Sequence, residues 1–151
     1  IGEITIGSRT VVHPKARIIA EAGPIVIGDF NIIEELVTIK NRNTDSSQKP
    51  QVLIIGNNNV FEVGAGILFS LLSPLTHVGS NVELTSGCII GAMCNVSCNE
   101  KLAENTVIYG SNCERRFQRD KPPAQGLQID FLSKILPNYH HLRKPPKSQK
   151  A

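Results

Sequence analysis

Large aliphatic side chains return every six residues along this chain. From Ile6 they fall at Val12 and Ile18, then after an insertion at Ile27, Ile33 and Ile39, then after a longer one at Ile55, Phe61 (the one aromatic) and Ile67. A third break leads to Val78, Leu84, Ile90, Val96, Leu102 and Ile108. Gly follows five of these anchors, at Gly7, Gly28, Gly56, Gly79 and Gly91. Four residues past most anchors stands a small residue or Asn, among them Thr10, Ala16, Ala22, Asn31, Asn59, Ala65, Cys88, Cys94, Thr106 and Asn112. A helix would repeat its apolar face at three to four residues and a lone half-buried strand at two, so neither alone fits a step of six. A short strand plus a corner does. Gly and Asn suit such corners because they tolerate positive φ, and small side chains fit where the chain bends inward.

A unit of six residues cannot bury its own apolar side, so the units wind into a solenoid whose stacked coils share one core. The pattern predicts an all-β parallel β-helix of hexapeptide repeats, with roughly 18 residues per coil and about five coils over residues 1–113. Three breaks interrupt it. The stretch Ala20–Pro24 widens a corner, residues 40–51 are polar and read as an exposed loop, and residues 68–77, with Leu68, Phe69, Leu71, Leu72 and Leu75, form an irregular segment.

After Cys113 the six-residue step ends. Leu127, Phe131, Leu132, Ile135 and Leu136 recur at helical spacing within Gln125–Pro137, with Pro137 as the expected stop. Residues 114–142 therefore read as a connector and an amphipathic helix that packs on the solenoid, and residues 143–151 as a disordered basic tail. The charge follows this division. Up to Asn112 the chain carries seven Lys and Arg against ten Asp and Glu; beyond it the count is nine against three. A basic end can attract nucleic acid or an acidic surface, but here it lacks the interleaved aromatics of a base-stacking platform, so no nucleic-acid partner is expected. No run of the chain reaches the roughly 20 apolar residues of a membrane span. The chain has 151 residues, no Trp and 5% aromatic residues, so stacked Ile and Val must fill its interior.

Candidate chemistry is sparse. Cys88, Cys94, Cys98 and Cys113 form no Cys-x-x-Cys pair and read as small buried thiols, Cys88 and Cys94 falling at the corner position of the repeat. Hexapeptide solenoids resemble two enzyme groups, acyltransferases and gamma-class carbonic anhydrases, which supply the alternative reading of a trimeric enzyme. The anhydrases need two His five residues apart within the repeat, and His13, His77, His140 and His141 provide no such pair. Either His13 or His77 could serve formally as an acyltransferase base, with thin support around it. Glu34, Glu35, Glu62 and Glu83 are expected to face outward, and Gly64-Ala65-Gly66 lacks the residues of a phosphate loop. No catalytic, metal or cofactor residue is assigned, and no cofactor is expected.

Five stretches are more specific than the repeat: His13–Gly28, Ile55–Gly64, Leu84–Ala92, Asn105–Gly110 and, outside the hexads, Asp130-Phe-Leu-Ser-Lys-Ile-Leu-Pro-Asn-Tyr-His-His-Leu142. Through them the chain resembles a family of β-helix subunits of the dynactin pointed-end complex, over most of Ile6 to Leu142. The resemblance implies a left-handed parallel β-helix with a C-terminal α-helix, against the usual right-handed crossover. It implies a non-enzymatic scaffold in the cytoplasm and cytoskeleton, with centrosome and kinetochore as further stations, supporting cargo or membrane attachment for dynein. The partners it implies are a sister β-helix subunit, forming a heterodimer, the other pointed-end subunits and the actin-like filament. It also leads one to expect coils before Ile1.

Overall fold

The computed structural model describes residues 2–42, 51–70, 81–97, 101–119 and 125–140. Val78, His77, His141, Cys98, most of the expected loop and irregular segment, and the basic tail lie outside these residues.

The described strands form three parallel sheets that the chain visits in rotation. Sheet A holds β1 (Ile4–Ile6), β4 (Ile25–Ile27), β7 (Val52–Ile55) and β10 (Asn81–Leu84). Sheet B holds β2 (Val11–Val12), β5 (Ile32–Ile33), β8 (Val60–Phe61), β11 (Ile89–Ile90), β13 (Thr106–Tyr109) and β14 (Glu114–Phe117). Sheet C holds β3 (Arg17–Ala20), β6 (Thr38–Arg42), β9 (Gly66–Ser70) and β12 (Asn95–Ser97). Each strand lies beside the strand one coil away, which is the signature of a parallel β-helix and is consistent with the left-handed form. The last strand, β14, breaks the pattern by turning back antiparallel to β13, with Tyr109 opposite Glu114.

The anchors pair in register. Ile6, Ile27 and Ile55 align with Leu84 in sheet A, Val12, Ile33, Phe61, Ile90 and Ile108 in sheet B, and Ile18, Ile39, Ile67 and Val96 in sheet C. From Ile27 to Ile108 every described anchor is buried, each contributing about 1.5–3 kcal/mol by leaving water. In the first coil Ile6 is exposed and Val12 and Ile18 are half-buried. Three breaks, between Ile18 and Ile27, Ile39 and Ile55, and Ile67 and Leu84, all fall at the corner from sheet C to sheet A, so the other two corners stay regular.

The structure corrects the corner chemistry. The left-handed residue is the third after the anchor, not the fourth: Arg9, Lys15, Phe30, Leu36, Asn58, Met93 and Asn105 all have φ between 54° and 68°. The fourth residue points inward, so Asn31 and Asn59 are there to hydrogen-bond rather than to relieve strain. The Gly after the anchor has a separate reason: a Cβ on Gly28 would come within 2.8 Å of the Gly56 carbonyl in the next coil.

Two further expectations change. The polar run from Lys40 does not leave the prism at once; Asn41 is buried in β6, where its Nδ2 donates to the carbonyls of Gly23 and Gln51. Likewise Leu68 continues β9 opposite Lys40. Helix α1 (Gly126–His140) runs through Pro137 rather than stopping before it. It buries Ile129 and Leu136 and half-buries Leu132, while Leu127 is 88% and Phe131 62% exposed. The stripe Ile129, Leu132, Leu136 follows the i, i+3, i+7 rule; it keeps Leu132 and Leu136 of the set read from the sequence and puts Ile129 in place of Leu127 and Phe131.

Candidate functional site

Three flat faces and two regular corners make up the described surface, and their outward residues differ. Sheet C presents Arg17, Thr38 and Asn95, each one residue before its anchor. At the same position sheet B presents Val11, Ile32, Val60, Ile89 and Val107, an apolar stripe running down the prism. Ile129 and Leu136 of α1 cover its first two members, Val11 and Ile32, and form a second apolar cluster outside the main core. Doublets such as Val11-Val12 and Ile32-Ile33 could have revealed this face, since only sheet B carries a large apolar residue on both sides of the sheet in every described coil.

The corner between sheets A and B ties α1 down and ties the coils together. Arg9 pairs with Asp130 of the helix and lies over the Phe30 ring, 5.3 Å from its centroid. Both charged side chains are about half exposed, so the pair contributes little energy and mainly orients the helix. Inside the corner a polar ladder climbs the prism. Asn31 accepts from the Asn59 amide through Oδ1 at 2.9 Å and donates through Nδ2 to the carbonyls of Gly28 and Gly56 at 2.9 and 3.0 Å. Asn59 repeats the acceptor half for the Cys88 amide at 2.8 Å. On the outer side Asp29, Asn57 and Ser86 each accept an amide of the preceding coil, at Ser8, Asp29 and Asn57.

The corner between sheets B and C works differently. Its inner residues, Ala16, Val37, Ala65 and Cys94, donate their amides to His13, Glu34, Glu62 and Gly91 within the same turn. Glu34 and Glu62 do not merely solubilise the surface: their Oε2 atoms accept the amides of Val63 and Ala92 in the next coil, at 3.1 and 2.9 Å. His13 is half-buried at this corner.

The remaining chemistry is confined. Cys88 and Cys94 are buried free thiols at the inner corner position, and Cys113 is a half-buried one. Burial pushes the Cys94 thiol above its ordinary range, helped by a hydrogen bond to Cys113. A thiol held protonated is a poor nucleophile. Among the described residues no three His, Cys, Asp or Glu side chains converge as a metal site would require. At the far end of the prism Arg116 stacks over Tyr109, 5.6 Å from the ring centroid, and Phe117 is exposed beside it.

No protein-family model matches the chain. Curated proteins do. Dynactin subunit 6 of Xenopus tropicalis is 55% identical over 97% of this chain and 79% of its own length. Dynactin subunit 6 of Danio rerio is 54% identical over 97% of this chain and 82% of its own length. In Nematostella vectensis the protein of that name is 52% identical, covering 97% and 86%.

Proposed function

The chain belongs to the dynactin subunit 6 family, and from that membership we propose that it is a structural, non-catalytic subunit of the dynactin pointed-end complex. It pairs one-to-one with a sister β-helix subunit, sits with the other pointed-end subunits at the end of the actin-like filament, and supports attachment of cargo or membrane to dynein. Its place is the cytoplasm and cytoskeleton, and centrosome and kinetochore wherever the complex goes. The β-helix of residues 1–113 is the rigid part, residues 114–142 the clamp on its side, and residues 143–151 a basic tail.

The observation that carries this reading is the division of labour across the prism wall. Inward positions close a continuous core and a hydrogen-bond ladder, leaving outward positions such as Arg17, Thr38 and Asn95 of sheet C outside both. A solenoid of this kind presents preformed flat faces, so a partner binds it with little ordering cost. Among the described residues no helix is long and apolar enough to cross a membrane.

Light scattering on the chain alone and co-expressed with the sister β-helix subunit tests the reading. A one-to-one heterodimer is expected. A homotrimer that binds an acyl carrier would overturn it in favour of an enzyme.

A further inference from the structure

The corner between sheets B and C carries a bulky apolar crest that the fold does not use. Leu36 and Met93 occupy the left-handed position, at φ 62° and 59°, and are 56% and 73% exposed. Val63, between them in the stack, is 45% exposed. Left-handed backbone is unfavourable for L residues with large side chains, and Gly, Asn or Asp relieve it. At the equivalent position of the neighbouring corner stand Arg9 and Phe30, which contact each other beside α1, and then Asn58, Gly87 and Asn105. Leu36 and Met93 thus combine backbone strain with apolar side chains that stay more than half exposed.

Three observations make the crest continuous and give it a charge. Leu36, Gly64 and Met93 stack in successive coils, joined by the Gly64 amide on the Glu35 carbonyl and the Met93 amide on the Val63 carbonyl, both at 3.0 Å. Gly64, at φ 69°, leaves the notch in which the Met93 thioether lies, since a Cβ there would run into Met93 Sδ. Glu34, Glu35 and Glu62 stand on the same corner as the crest. Glu35 pairs with Lys15, 4.0 Å away and one coil below Leu36, while Glu34 and Glu62 accept the amides of Val63 and Ala92. His13 lies in that first coil too, beside Lys15.

We infer that this crest is a docking edge, and that its occupant is an apolar groove rimmed by Lys or Arg on another subunit of the complex. A convex ridge of Leu, Val and Met fits a groove rather than a flat face, and the flanking carboxylates select a basic rim over an acidic one. The inference rests on the proposed membership of an assembled complex and adds the surface through which the chain enters it.

Met93 is the single methionine of the chain, which supplies a direct probe. Hydrogen peroxide converts exposed methionine to its sulfoxide. The Met93 peptide is followed by mass spectrometry in the isolated chain and in purified complex containing it. At least tenfold slower oxidation in the complex is expected; equal rates in a complex that retains the chain would overturn the docking edge and leave the membership intact. Absence of the chain from the complex would overturn the membership and the edge together. A variant carrying Leu36→Asn and Met93→Asn gives an independent arm. Its melting temperature is expected to be unchanged or higher, because Asn suits left-handed backbone, while its incorporation into the complex falls at least tenfold. Full incorporation would sink the inference. Glu35→Lys is expected to lower incorporation about threefold, and no change would remove the basic rim from the proposal.

Discussion

The two regular corners of the prism share a backbone and spend their side chains in opposite directions. Between sheets A and B the inner amides of Asn31, Asn59 and Cys88 are answered by side chains of the preceding coil, at Thr10, Asn31 and Asn59. That corner stitches coil to coil. Between sheets B and C the inner amides are answered within their own turn, and Ala16, Val37, Ala65 and Cys94 fill the space with apolar bulk. Each of those turns is self-sufficient on its inner side, so the outward residues at positions 36, 63 and 93 are less constrained by folding. The comparison teaches that a repeat protein can bind its coils through inner side chains at one corner and through outer carboxylates and backbone at another, where the apolar side chains at the tip stay available to partners.

Substitutions can break this contrast. The largest effect is expected for Asn31→Ala, which strands the buried Asn59 amide and removes the donor to Gly28 and Gly56. At about 1–3 kcal/mol for each buried group left unpaired, the loss should reach about 3–5 kcal/mol in chemical denaturation. A loss below about 1 kcal/mol would mean that the ladder does not bind the coils together.

An intermediate effect is expected for Gly64→Ala. The new methyl adopts an unfavourable left-handed backbone and displaces only the flexible end of Met93, so about 1–2 kcal/mol should be lost. A cost as large as that of Asn31→Ala would show that the crest supports the fold and would erase the difference between the corners.

The smallest effect concerns pH. The Cys94 thiol binds its proton more tightly in the folded chain than in the unfolded one, because burial and Cys113 raise its pKa. The unfolded chain therefore releases that proton first, from about pH 9, and the folded state loses the associated stability as pH climbs further. Melting curves should fall more steeply above about pH 9 for the natural chain than for Cys94→Ala, with no difference between their slopes at neutral pH. Equal slopes throughout would place Cys94 outside the dry side of its corner.

Much of this was legible in one sequence because a solenoid repeats each decision several times. Ile27, Ile33 and Ile39 are readable as core since Ile55, Phe61 and Ile67 say the same thing one coil later. Asn31 and Asn59 were also visible as members of the repeat, yet their job was not: a corner Asn can relieve strain or satisfy amides, and only the backbone angles separate the two. The crest was less visible still. Leu36 and Met93 lie out of register with the anchors, and nothing in their identity marks a left-handed backbone. Helix α1 shows the same limit, for Leu127 and Phe131 are as apolar as Ile129 and Leu136, and Pro137 reads as a terminator.

Periodicity by itself determined the coil, the anchors and the presence of a helix beyond them, because burial of a regular core is a collective demand that every repeat must meet. The tertiary structure alone decided which outward face is apolar and covered, which side of α1 covers it, and which corner is left strained and bare. Those choices depend on contacts between residues far apart in the chain, each made once, and a contact made once leaves no period to read.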